Sequence, residues 1–241
     1  MSIDAYSAEE HQRVIDAEQR YGDYYVNAYN ATIMLSNIMM WPVSDCDIFI
    51  RFLSQMKKYH TLSLISTVRL HRIQAKMNLR YFLESTVNAA YALTHTDTKV
   101  YFNFDDEEQQ PDAKKASSRA YKWIESAFPA HSQSIQNMKD QINKQTAHAN
   151  VFNSQHNFLY VPGQRAEIHT SYFDFEDEQF VKADLWQCAQ AGLIAIDLIL
   201  AVQKQHGGFL PSRDVEGLGD LIVDNDGLLD ELETELKKSN G

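Results

Sequence analysis

Apolar positions recur at three- and four-residue spacing along most of the chain. Glycine and proline, the usual interrupters, are missing from the 68 residues between Pro42 and Pro111. That combination predicts amphipathic helices. A first helix is expected from about Ser7 to Trp41, with Val14, Tyr21, Tyr25, Ala28, Leu35 and Met39 on one face and Pro42 as its stop. Ser44-Asp45-Cys46-Asp47 has the form of an N-cap with an acid three residues on, and it opens a second helix. A single helix from there to His95 would be about 75 Å long at 1.5 Å per residue, too long for one compact domain. A break is therefore expected near Tyr59 to Ser63, with Thr61 and Ser63 as caps for a third helix ending at about Leu93.

A fourth helix starts near Pro111, carries Ala113, Ala116, Ala120, Trp123, Ile124 and Ala127, and ends before Pro129; a fifth uses Ile135, Met138, Ile142 and Ala149. The period then drops from 3.6 to 2 through Phe158-Leu159-Tyr160-Val161, the Pro162-Gly163 turn and the alternation around Ile168, which predicts a β-hairpin at about 157–175. Glu176 to Gln205, apolar nearly all round from Ala189 to Val202, reads as the central core helix, stopped by Gly207-Gly208. The expected fold class is all-α. It comprises a bundle of about six core helices over residues 1–208 with a small inserted β-hairpin, then an acidic C-terminal tail, 209–241. Leu228, Leu229, Leu232 and Leu236 mark a short amphipathic helix in that tail.

Composition adds compartment and charge. The chain has 241 residues, 44% of them apolar, enough for a full core. Its longest apolar run is broken by Gln190, Gly192 and Asp197, and its start lacks the basic and apolar regions of a signal peptide. Cys46 and Cys188 have no metal-binding or disulfide spacing. A cytoplasmic protein with no membrane contact, no metal and no cofactor is expected. The net charge of -11 suggests indifference to phosphate until it is resolved along the chain. From Arg213 onward nine acids face three bases, whereas from Arg51 to His95 seven bases face only Glu84.

Four of those bases, Arg69, Arg72, Lys76 and Arg80, are spaced 3, 4 and 4, so on one helix they fall within a sector of about 80°. Leu62, Ile65, Ile73, Leu83 and Val87 extend the same sector, which places the stripe at the rim of an inter-helix groove. Arginines there suit an anion, either a nucleotide or RNA phosphate or an acidic partner. Two acids compete for them. Glu84 lies four residues after Arg80, and Asp197, set in Ile194-Ala195-Ile196-Asp197-Leu198-Ile199, needs a partner if buried. An arginine of the stripe is the economical choice for Asp197, and in that case the cations are structural, with Asp184 as a further acid able to neutralise them. His148, in the polar run Asn143 to Asn150, is the candidate for proton transfer. The acidic tail offers a surface for a basic partner protein, as in a scaffold or subunit without a ligand.

The central Arg69-x-x-Arg72…Leu79-Arg80-x-x-Leu83-Glu84 helix, the Asn143 to Asn150 segment, the hairpin and the last apolar helix together resemble the HEPN-like helical bundles, over about Ser44 to His206. The resemblance implies a helical core, a homodimer, a role in prokaryotic defence or stress systems and, in active members, metal-independent RNA cleavage at an Arg-x4-6-His motif. Here no arginine precedes a histidine by five to seven residues. The nearest spacing is Asn143-x4-His148, so a phosphate-stabilising arginine would come from another helix, such as Arg69 or Arg72.

Overall fold

The computed structural model describes residues 2–43, 45–101, 113–146, 155–162 and 167–239. Within them the chain forms nine α-helices: α1 (Ile3–Ile15), α2 (Ala17–Tyr21), α3 (Asp23–Ser36), α4 (Asp47–Val68), α5 (Arg72–Ala92), α6 (Ala113–Ala127), α7 (Pro129–Thr146), α8 (Glu178–His206) and α9 (Leu218–Ser239). Four short strands, β1 (Met39–Pro42), β2 (Phe158–Val161), β3 (Glu167–Thr170) and β4 (Phe209–Pro211), make two antiparallel pairs, β1 with β4 and β2 with β3. The all-α bundle with a small hairpin is as the hydrophobic pattern predicts. The β2–β3 hairpin pairs Phe158 with Thr170 and Val161 with Glu167, inside the expected interval.

Helix α8 is the axis, packed against α2, α3, α4, α5, α7 and α9. Leu185, Cys188, Ala189, Ala195, Ile196, Leu198 and Ile199 are fully buried, which explains an apolar surface that runs nearly all the way round it. By length and composition α8 is the one helix among the described residues able to cross a membrane, yet most of that stretch is covered by the rest of the bundle, as a core helix requires.

Three boundaries differ from the sequence-based expectation. The first predicted helix is three helices: Gly22, at φ +52, turns the chain between α2 and α3, a conformation that glycine adopts without steric cost. The chain then leaves the helix at Asn37, well before Pro42. Met39–Pro42 pairs with Phe209–Pro211, while Phe49 stacks on Phe209 at 5.2 Å. Periodicity could not show a partner so distant in sequence.

The predicted break near Tyr59 to Ser63 is absent, and α4 runs unbroken to Val68. The hydroxyls expected to cap a new helix are used otherwise: Thr61 Oγ1 donates to the Lys57 carbonyl and Ser63 Oγ to the Ala75 carbonyl on α5. The turn comes at Leu70, whose φ of +60 is unfavourable for a branched side chain and costs about 1 kcal/mol or more. Burial of Leu70 and two bonds from the segment after the hairpin fix it there. Asp174 N–H donates to the Leu70 carbonyl at 2.9 Å, and Asp174 Oδ2 accepts from the Arg72 N–H at 2.6 Å, capping α5 from outside.

The third difference is the acidic C-terminus, which forms the 22-residue α9 docked on α3 and α8. Leu228 and Leu232 are buried, and Asn225 is a buried hub: its Nδ2 donates to Gln190 Oε1, its Oδ1 accepts from Asn27, and its carbonyl accepts from Trp186 Nε1. The acids of α9 stay on the outer, exposed face.

Where α4 crosses α8, His60 is completely buried. Its Nε2 lies 3.0 Å from the Cys188 carbonyl and its Nδ1 3.0 Å from Thr32 Oγ1. A neutral ring that donates from Nε2 satisfies both contacts when the Thr32 hydroxyl turns its one proton to Nδ1 rather than to the Ala28 carbonyl, 2.8 Å away. Burial pushes its pKa down to about 4 despite the bond to the Cys188 carbonyl. Gly192 makes room for this ring, since a Cβ there would meet His60 Nε2 at 2.6 Å. Gly192→Ala is therefore expected to cost about 1 to 3 kcal/mol, seen as a lower urea midpoint. An unchanged midpoint would mean that the imidazole can step aside.

Candidate functional site

The bend at Leu70 splits the basic stripe. Arg69 belongs to the end of α4 and faces α1, where its Nη1 lies 3.5 Å from Glu10 Oε2. Glu10 also accepts from His71 Nε2 at 2.8 Å and from the Tyr172 hydroxyl at 3.1 Å. Burial opposes ionisation of Glu10, but the bonds from His71 and Tyr172 and the charge of Arg69 outweigh it, and its pKa is lowered.

Arg72 and Lys76 point into the bundle, toward α8. Asp184 sits between them: Arg72 Nε is 2.9 Å from Oδ2 and Lys76 Nζ is 2.6 Å from Oδ1. Lys76 and Asp184 are buried, with side chains 3% and 7% exposed, and Lys76 also donates to Gln187 Oε1. The Arg72 guanidinium lies over the Phe180 ring at 5.1 Å. These two cations are held by a buried acid and an aromatic face, which is the structural role weighed for the stripe, with Asp184 rather than Asp197 as the acid.

Asp197 itself is a correction to the expected buried pair. Its side chain is 54% exposed and accepts from His131 Nε2 of α7 at 2.8 Å, and its ion pair is with that histidine rather than with a stripe arginine. The His131 bond, ahead of opposing burial, lowers its pKa. One residue of an apolar run can face a gap between neighbouring helices, and sequence alone does not show where that gap falls.

Arg80 differs from the other three cations. Its side chain is 43% exposed, its Nε pairs with Glu84 Oε1 at 3.2 Å one turn along α5, and its Nη1 donates to Asn143 Oδ1 on α7 at 2.7 Å. Lys139, one turn before Asn143, lies 3.6 Å from the same Glu84 oxygen and donates to the Tyr121 hydroxyl of α6 at 2.6 Å, with its Nζ 4.2 Å from that ring's centre. Burial, with Arg80 adding to it and Glu84 opposing, lowers the Lys139 pKa; burial and Glu84 raise that of Tyr121. Two cations thus share one carboxylate where α5, α6 and α7 meet. A residual positive charge beside an exposed guanidinium can accept a phosphate oxygen.

The structure therefore brings together Arg80, Glu84 and Asn143, and adds Lys139 and Tyr121, which the sequence reading did not single out. The available signal was the i, i+4 spacing of Lys139 and Asn143 on α7, in register with Arg80 and Glu84 on α5. His148 lies outside the described residues. Among the described residues no three His, Cys, Asp or Glu side chains gather as metal ligands. Compared with known proteins, the chain matches no protein-family model, no curated protein and no solved structure.

Proposed function

We propose that the chain is a cytoplasmic helical binding protein for RNA or a nucleotide, acting as a homodimer in a prokaryotic defence or stress system, with the phosphate held at Arg80. The observation that carries this reading is the 2.7 Å bond between Arg80 and Asn143. It joins the stripe cation with the most exposed side chain to the polar segment that leads into His148. The HEPN-like resemblance asks for an arginine to work with that histidine, and Arg80 is the arginine bonded to its segment, whereas the charges of Arg69 and Arg72 are directed to Glu10 and Asp184.

Anisotropy with a short labelled single-stranded RNA tests the proposal. Arg80→Ala is expected to weaken binding about tenfold at low salt and to flatten its salt dependence. Thermal stability should hold, because a half-exposed ion pair contributes about 1 kcal/mol or less. Equal binding by the two proteins would refute it.

The same contact favours a second reading, metal-independent RNA cleavage. A histidine can move the protons while Arg80 stabilises charge developing on the phosphate. RNA cleaved by the wild type in the presence of a chelator, and left intact by His148→Ala, would establish it. RNA left intact by the wild type would sink it.

A further inference from the structure

A groove of about 460 Å³ opens along α5 between α4 and the segment after the hairpin. Its lining mixes the rings of Tyr59, Tyr81 and Tyr172 and the aliphatic Ile73 with the amides of Gln74 and Asn157, and its one carboxylate, Asp174, accepts from the Arg72 N–H. Tyr59 and Tyr81 stack at 5.3 Å with an interplanar angle of 22°, so one face of that pair is already satisfied while Tyr81 remains 51% exposed. Met77, also 51% exposed, lies one turn before Tyr81. The side-chain amides of Gln74 and Asn157 bond to no described residue. Lys58 Nζ sits 5.7 Å from the centre of the Tyr59 ring and adds a cation at the edge.

An exposed, pre-stacked tyrosine is a platform for another flat ring, and a side-chain amide offers both a donor and an acceptor to a ring edge. On the helix, Met77, Arg80, Tyr81 and Glu84 fall within a sector of about 100°, so the platform and the cation of the α5–α7 cluster occupy adjoining parts of one surface. Continuous apolar contact would suit a peptide. Rings with amides between them, beside a guanidinium, instead match a base attached to a phosphate.

We propose that this groove takes the base of a nucleotide unit, stacked on Tyr81, while Arg80 holds the phosphate; the proposal rests on the function proposed above and names its ligand chemistry. The unit comes either from a free mononucleotide or from a single-stranded RNA.

Calorimetric titration of the full chain with AMP, ribose 5-phosphate and a short single-stranded RNA separates the contributions. AMP is expected to bind about tenfold or more tighter than ribose 5-phosphate, the difference being the stacked base. Tyr81→Ala should remove that advantage without changing ribose 5-phosphate binding, and Tyr81→Phe should keep it. Arg80→Ala should weaken all three ligands. Tighter binding of RNA than of AMP identifies a strand as the source, and AMP at least as tight identifies the free nucleotide. Equal binding of AMP and ribose 5-phosphate, both lost in Arg80→Ala, would overturn the base groove and leave the phosphate site standing. A base advantage that survives Arg80→Ala but not Tyr81→Ala, with ribose 5-phosphate binding unchanged by Arg80→Ala, would overturn the phosphate assignment and leave the groove standing. No binding of any of the three would overturn both.

Discussion

Replacing Asp184 by alanine is expected to destabilise the fold by about 3 to 5 kcal/mol, the usual cost of leaving a buried charge without its partner. Lys76 has nowhere to go. Its ammonium is enclosed between α5 and α8, with Asp184 and Gln187 as its partners, and Gln187 cannot neutralise it. Arg72 loses its ion pair in the same step but keeps the Phe180 face and partial access to water, so Lys76 dominates the cost. For a chain of this length the loss corresponds to a fall of roughly 10 °C in melting temperature. The double variant Lys76→Met, Asp184→Leu should recover most of it, because removing both charges also removes their desolvation cost. A loss below about 1 kcal/mol in Asp184→Ala would show that water reaches the ammonium.

Acid should weaken the fold through His60 well before its carboxylates titrate. The folded pKa of about 4 lies below the ordinary value of 6.5, so the unfolded chain takes up the proton first. The stabilisation is complete above about pH 6.5 and declines as pH falls, by about 1.4 kcal/mol per unit, until the folded form is also protonated near pH 4. The whole contribution is roughly 3 kcal/mol. Cys188, beside the ring, stays a neutral thiol in this range because burial pushes its pKa up to about 12. Glu10, Glu176 and Asp197 have lowered pKa values, so their contributions are lost only below their ordinary values of 4.5, 4.5 and 3.8. Among the described groups whose pKa is shifted, His60 is the one that acts from pH 6.5 to about 5. Urea midpoints at pH 7.5, 6 and 5 should fall in the wild type and stay level in His60→Gln. Parallel slopes in the two proteins would refute the assignment.

These two largest effects come from residues that the pattern of the chain presents as ordinary. His60 is a polar residue on an otherwise regular amphipathic helix, and nothing beside it in sequence indicates Thr32, Cys188 and Gly192 as neighbours. Asp184 was legible as a neutralising acid, but not that it would take both Arg72 and Lys76. Arg80 shows the limit most clearly: its spacing placed it in a line of four equivalent cations, whereas the bend at Leu70 and the neighbouring helices give each cation a different environment.

By itself the sequence determined the all-α class, the hairpin, the central position of α8 and the concentration of positive charge on α4 and α5. These follow from period, breakers and charge order, which act over a few residues. Tertiary structure decided where the long helices break, that the acidic end docks as α9, and which cations are paired. Each of those outcomes depends on a partner far along the chain: Phe209 beside Phe49, Asp174 capping α5, Asn27 reaching Asn225 and Asn143 meeting Arg80. A charge or a hydroxyl has the same local pattern whether it faces water, a buried acid or a ligand, and only packing distinguishes these cases.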